Sequence, residues 1–369
     1  MVSVQLSNLF RSIDYWILGS ILALIGIGSM LIMSVSPVVA IQHGWSPFVL
    51  LKKHFIVMFP GLMVMMCASM MKKEGIIMSS ILIAVFAWIA LWLVFLFGSD
   101  IKGARRWISV CGFSLQPSEF LKTASVVLSA WLFTKRHLCH RYASTLILIF
   151  VMIFPLLLQP DIGMVFLITS VWFVQCFVAG LPIAWFAAGA LFGVGAVGVA
   201  YCCFSHVAAR INSFLFSGGC DKFGIHYQVI QALSAFSSGG WFGKGPGAGV
   251  VLNSIPDGHS DFIFAVAAEE FGMILCVIII LLYGIIVFRS LLHAMNRLDK
   301  FYSLACVGIA MQLLIQTFLN MGSVMRMIPT KGTTLPFVSY GGSSFLSLCF
   351  AMGVLLSLTR RQIMDIYSA

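Results

Sequence analysis

Four short polar stretches interrupt an otherwise apolar chain and carry side chains able to do chemistry. They are "KGARRWI" at 102–108 with "QPSEFLK" at 116–122, "QPDIG" at 159–163, "PDGHSDF" at 256–262, and "PTKGTTLPFVSYGGSSF" at 329–345. Together they supply cations in Lys102, Arg105, Arg106, Lys122 and Lys331, and carboxylates in Glu119, Asp161, Asp257 and Asp261, with Arg210 in a further polar loop. Such a set suits a diphosphate and a general base. Guanidinium groups grip phosphate oxygens as bidentate forks, while a carboxylate beside a cavity can take a proton from a hydroxyl. Hard oxygen donors also suit Mg²⁺ or another divalent cation bridging the acids and a diphosphate, with Asp261 as a candidate ligand.

Each of these residues also has a plainer reading. Asp257, Ser260 and Asp261 can cap a helix, because acids and hydroxyls satisfy its unpaired N–H groups and suit the positive end of its dipole. Asp257 and Asp261 share a helix face if the first turn of the following span begins early. Asp261 stands where that span begins, accessible yet partly desolvated, which makes it the first choice for a base. Glu269 and Glu270 lie deeper, where a carboxyl group is expected to bond a neighbouring helix. Glu119 and Lys122 are three apart and can pair across one turn or touch a substrate. Asp161 can cap the next helix or face the site, and His259 reads more readily as a loop hydrogen-bonding residue than as a ligand. Gly341 to Ser344 reads as a helix start rather than an anion nest.

The elements that must position these residues are membrane spans. Of the 369 residues, 60% are hydrophobic and only 9% are charged, with mean hydropathy +1.03; a soluble domain carries about 25% charged residues. Repeated apolar runs predict an all-α polytopic membrane protein of about ten transmembrane helices. The spans are expected near 15–36, 54–71, 75–97, 117–134, 142–158, 162–179, 183–204, 261–288, 301–325 and 342–359. They make one domain over 1–369, with an uncleaved N-terminal anchor and two long loops at about 98–116 and 205–260. Compact basic turns at Lys72-Lys73, Lys135-Arg136, Arg289 to Lys300 and Arg360-Arg361 place both termini in the cytoplasm. All four reactive stretches then meet on the outer face. The 22 Lys and Arg divide evenly between the two sides, so an anionic partner outside is indicated unless the long loops escape the charge rule.

The second long loop begins with a helix-like apolar face too short to span, followed by "SGGWFGKGPGAG". This predicts a re-entrant or interfacial helix and a glycine-rich lid over the cavity. A phosphate loop is excluded, because Ser238 stands where its first glycine should be and Gly245 follows Lys244 where Ser or Thr is needed. The "HLCH" cluster at 137–140 is too compressed for zinc. The net charge of +10 fits a surface of anionic membrane lipids. No basic cluster is backed by a soluble recognition domain, so nucleic acid is not expected as a partner.

The ordered set "GARRWI…QPSEFLK", "LQPDIG", "SGGWFGKGPGAG", "PDGHSDFIFAVAAEEFG" and "PTKGTTLPFVSYGGSSF" resembles the SEDS family of cell-wall polymerases over nearly the whole chain. Within that family the runs "IKGARRWI" and "PTKG" resemble the division member more than the elongation member. The resemblance implies a peptidoglycan glycosyltransferase that polymerises lipid II, an undecaprenyl-linked donor, onto a growing glycan at the outer face of the bacterial inner membrane, at the septum. It also implies a class B penicillin-binding protein and other division proteins as partners. The family's essential outer acid falls on Asp261, and the glutamate, alanine and threonine of its "PEAHTDF" motif fall on Asp257, Gly258 and Ser260. Its conserved cationic and acidic positions fall on Lys331, Glu119 and Lys122, with Lys102, Arg105, Trp107, Arg210, Asp161 and His259 as further expected substrate contacts. The competing classes are a flippase that moves lipid II unchanged and a scaffold that only recruits a synthase. A flippase needs binding groups open to both leaflets, and a scaffold needs no aligned acid and cations.

Overall fold

A computed structural model describes residues 13–44, 46–101, 104–110, 113–135, 138–203, 207–209, 211–212, 225–249, 258–329 and 332–360. The expected spans are all present as helices. In chain order they are α1 (Tyr15–His43), α2 (Val49–Ser69), α3 (Lys73–Phe97), α4 (Pro117–Lys135), α5 (Leu138–Leu158), α6 (Ile162–Val178) and α7 (Ala184–Cys203). The short α8 (Ile225–Gly239) precedes α9 (Ile263–Met295), α10 (Lys300–Val324) and α11 (Gly342–Leu358). Among the described residues, six helices are long and apolar enough to cross a membrane. Short acids start several of them. Asp14 accepts from the N–H groups of Trp16 and Ile17, Asp161 from that of Met164, and Asp299 from that of Phe301, which satisfies the unpaired first turn.

The polar helices are the inner ones. α4 carries Glu119, Lys122, Thr123, Ser125 and Ser129 and packs on α3, α5, α6, α10 and α11, so its polar side chains are buried in protein rather than in lipid. α10 is also central: 78% of its apolar window is buried, and its Gln312, Gln316 and Asn320 all face protein. The outer helices show the reverse. On α3, Met78, Leu82 and Phe86 recur at a spacing of four and are 59%, 63% and 68% exposed, a stripe turned to the hydrocarbon.

The first long loop carries strands that the sequence reading did not foresee. It folds into an antiparallel sheet of β1 (Ser99–Ile101), β2 (Ala104–Val110) and β3 (Phe113–Leu115), in the order β1-β2-β3. Strands this short leave too few alternating positions to register as a period of two.

The second loop keeps one expectation and alters another. α8 is a 15-residue helix packed on α9, as a non-spanning element should be. The glycine-rich run after it is no lid over a cavity; it is spliced into α9. That helix breaks at Gly272, where φ is 79° and ψ is −178°. The break leaves the carbonyls of Glu269 and Glu270, and the N–H groups of Met273 and Ile274, without the partners of a continuous helix. The loop supplies substitutes. Lys244 N–H and Gly245 N–H donate to Glu269 and Glu270 carbonyls, each at 2.9 Å, while Met273 and Ile274 N–H groups donate to Gly240 and Trp241 carbonyls at 2.9 and 3.4 Å. Only glycine permits so close an approach: a Cβ on Gly243 would lie 2.2 Å from Glu270 O, and one on Gly272 2.3 Å from Trp241 O. Side chains fasten the same joint. Lys244 pairs with Glu269 at 2.9 Å, and Ser34 of α1 donates to Glu270 at 2.5 Å. The two deep glutamates thus serve the splice.

Candidate functional site

Asp261 lies in the turn 258–262 that leads into α9, whose first helical residue is Ile263. The helix therefore does not begin early enough to place Asp261 on a helical face with position 257. Asp261 is partly exposed, whereas Phe262 and the residues after it are buried. Its backbone is tied down on three sides. Asn320 of α10 donates from Nδ2 to the Asp261 carbonyl at 3.0 Å and to the Thr333 carbonyl at 2.5 Å. Ser339 donates to the Ser260 carbonyl at 2.5 Å, and Tyr340 N–H donates to the His259 carbonyl at 3.1 Å. The "GTTLPFVSYGG" segment is therefore laced to the Asp261 turn. A Cβ placed on Gly332 would sit 3.0 Å from Asp261 Oδ2, so this glycine leaves the carboxylate its space.

That segment is itself held from below. Leu335, Phe337 and Val338 are buried, and Phe337 takes a φ of 63°, a costly conformation for a bulky residue that only surrounding contacts can sustain. Tyr283 donates its hydroxyl to the Pro336 carbonyl, Leu335 N–H donates to Ser339 Oγ at 2.8 Å, and Thr334 shares a hydrogen bond with Ser344 at 2.8 Å. Burial pushes the Tyr340 phenol above its ordinary value, so it remains a protonated group beside the His259 ring, with centroids 5.9 Å apart. α11 begins at Gly342, as the sequence implied, but without a side-chain cap.

The other expected site residues divide into distinct groups. Glu119 and Lys122 form a buried ion pair at 2.5 Å, and Lys122 also donates to Gln316 at 2.7 Å. Gln316 in turn donates to the Thr334 carbonyl at 3.1 Å, so the pair reaches the Asp261 region through α10 rather than by exposure. Lys122 is 1% exposed. Asp161 caps α6 and stands 3.8 Å from Arg106, whose guanidinium donates to the Gln159 and Pro160 carbonyls at 3.3 and 2.6 Å. For Asp161 and for Glu119 with Lys122 the structure shows the internal contacts that the sequence allowed. Arg105 lies in β2 opposite Asp100, and Trp107 lies in the same strand opposite Ser99. Lys102, Arg210, Asp257 and Lys331 lie outside the described residues.

Sequence reasoning overlooked Asn320, Gln316, Ser339 and Tyr340. A signal for two of them was present, because Gln312, Gln316 and Asn320 recur every four residues and so form one polar stripe on a span. Among the described residues no three His, Cys, Asp or Glu side chains gather as a metal-holding cluster.

The chain has clear relatives. The probable peptidoglycan glycosyltransferase FtsW of Caulobacter vibrioides is 35% identical over 357 residues, covering 95% of this chain and 90% of that one. The protein of the same name from Coxiella burnetii is 33% identical, covering 95% of this chain and 97% of its own. Among solved structures, a chain of a peptidoglycan synthase complex matches with a TM-score of 0.79 at 24% identity, over 97% of this chain and 99% of that chain. The rod shape determining protein RodA of Thermus thermophilus matches with a TM-score of 0.67 at 24% identity, over 95% and 98%. These two likenesses establish a shared fold. A family model described as cell cycle protein, embracing FtsW, RodA and SpoVE, matches residues 15–363, and the chain belongs to that family.

Proposed function

We propose that this multi-pass membrane protein is the division-type peptidoglycan glycosyltransferase of its cell, polymerising lipid II at the outer face of the inner membrane, with Asp261 as the general base. The names of the relatives at 30–36% identity support the activity. The observation that carries the choice of Asp261 is the lacing of its turn: Asn320, Ser339 and the Tyr340 N–H donate to the carbonyls of Asp261, Ser260 and His259, and the partly exposed Asp261 keeps its carboxylate beside Gly332. In sequence, Lys331 immediately precedes that glycine and is the candidate diphosphate contact.

In the reaction, Asp261 takes the proton of the acceptor sugar hydroxyl as its oxygen bonds to the anomeric carbon of the donor. The carbon–oxygen bond to the diphosphate breaks, and undecaprenyl diphosphate leaves with that electron pair. A single displacement inverts the anomeric centre, converting an α-linked donor to a β-linkage. Outer cations such as Arg105 and Lys331 stabilise the charge that develops on the diphosphate. The same reading assigns a class B penicillin-binding protein as partner and the septum as the place of work.

The test is glycan-chain synthesis from purified lipid II by the chain with its partner, comparing wild type and Asp261→Asn. The amide keeps the shape and loses the base, so synthesis is expected to fall by about 10²–10⁴-fold while insertion and thermal unfolding stay unchanged. Near-normal synthesis would overturn the assignment, and a collapse of folding would return Asp261 to a capping role.

A further inference from the structure

The end of the bundle opposite Asp261 carries a second feature. Asn320, near the end of α10, contacts the Asp261 turn, whereas Lys300 begins the same helix at the opposite end, the cytoplasmic one by the basic-turn rule. There a groove of about 920 Å³ opens among α3, α4, α5 and the start of α10. Its rim holds Lys73, Lys135, Arg141 and Lys300 against Glu74 and Asp299, four cations to two acids. Its wall continues as Ile77, Met78, Ile81 and Trp131, which leads onto the lipid-facing stripe of α3.

The charges on the rim are unevenly satisfied. Lys73 pairs with Asp299 at 2.7 Å and stands 5.0 Å from the centre of the Phe301 ring. That contact holds the Asp299 carboxyl below its ordinary value, since the bonds from Lys73 and from Phe301 N–H outweigh the opposing effect of burial. Lys135 lies over the Trp131 ring at 5.1 Å. Arg141 donates from Nη2 to the Ala179 carbonyl and the Tyr142 hydroxyl, each at 2.9 Å, yet its Nε is buried with no acceptor among the described residues. With four cations to two acids, one of them already paired with Lys73, the groove carries positive charge in excess of its acceptors.

We propose that this groove binds the head group of an anionic glycerophospholipid of the cytoplasmic leaflet, its phosphodiester accepting from Arg141, Lys135 and Lys300 while an acyl chain lies along Ile77, Met78 and Ile81. The apolar wall favours a lipid over a soluble phosphate, and the excess of cations selects an anionic lipid over a zwitterionic one. The bound lipid would clasp the cytoplasmic ends of α3, α4, α5 and α10.

Native mass spectrometry of the purified full-length chain, offered equimolar phosphatidylglycerol and phosphatidylcholine in detergent, tests this directly. Wild type is expected to retain one phosphatidylglycerol about tenfold over phosphatidylcholine, because the basic rim attracts an anionic head group more than a zwitterionic one. The double variant Lys135→Gln/Lys300→Gln should bring that preference below about twofold, and Arg141→Gln should also lower it. Lys52→Gln/Lys72→Gln, which removes the same charge from residues that do not line the groove, should leave it intact. The proposal fails if the groove variants keep the preference, if the control pair loses it equally, or if millimolar inorganic phosphate strips the lipid, which would make this a soluble-anion site.

Discussion

Alanine at three glycines of the α9 splice separates crowding from backbone strain. At Gly239, where φ is not positive, a Cβ would lie 2.0 Å from Ala268 O, well inside the 3.0 Å that real Cβ contacts respect. The glycine-rich run must then withdraw from α9 by about 1 Å. A shift of that size breaks about two of the four backbone bonds across the joint, and each stranded group costs about 1–3 kcal/mol, so Gly239→Ala should cost about 2–6 kcal/mol. Gly247 is the opposite case, with φ at 74° and nothing within 4 Å of a new Cβ. There only the left-handed conformation is penalised, at about 1–2 kcal/mol. Gly243 combines the two, with φ at 78° and a Cβ 2.2 Å from Glu270 O, so its variant should be the least stable of the three. Thermal unfolding of the purified variants in one detergent should rank them Gly243→Ala, Gly239→Ala, Gly247→Ala from most to least damaging. If Gly247→Ala cost as much as Gly239→Ala, the glycines would serve only the turn, and the splice would not be what seats the start of α9.

Three further outcomes follow from the same contacts. Asn320→Ala should cut glycan synthesis by roughly ten- to a hundredfold through misplacement of the Asp261 turn, with the pH profile of the residual activity unchanged because the base is still present. Arg106→Gln should lower the unfolding temperature by weakening the bonds to the Gln159 and Pro160 carbonyls, worth about 1–3 kcal/mol, and should leave the KM for lipid II unaltered; a raised KM would put Arg106 in the substrate site. At the start of α1 Asp14 accepts from Arg289 at 2.5 Å and lies 2.8 Å from His293, and although burial pushes its carboxyl up, these bonds hold it below the ordinary value of 3.8. A depressed carboxylate contributes stability that is complete above the unfolded value and is lost as pH falls through the folded one. Asp14→Asn, which can still cap α1, should therefore cost about 1–2 kcal/mol at neutral pH, with the gap to wild type closing below about pH 4.

What the sequence disclosed and what it withheld have physical causes. Spans are visible because each must satisfy its own backbone within hydrocarbon, so about twenty apolar residues declare themselves whatever their neighbours do. Asp261 was visible because a carboxylate at a span boundary demands a reason. The splice at Gly272 was not, because a break in a helix is repaired by a segment about thirty residues earlier, and only the pair of them explains the glycines. For the same reason "SGGWFGKGPGAG" read as a lid: a positive φ and a close approach leave one and the same mark in a sequence, glycine, while implying opposite mobilities. The internal fates of Asp161, Glu119 and Lys122 were undecided for a related cause. A paired and a substrate-facing charge are the same letter, and only geometry tells them apart, as when Lys122 finds both Glu119 and Gln316 within 2.7 Å. Yet pairing does not remove such residues from function. Lys122 joins Gln316, Gln316 joins the Thr334 carbonyl, and Asn320 joins Thr333 to Asp261, so the buried charges of α4 are one hydrogen-bonded step at a time from the segment that borders the base. A polar core of this kind is expensive in a membrane, and its one evident return here is the fixed position of the Asp261 turn.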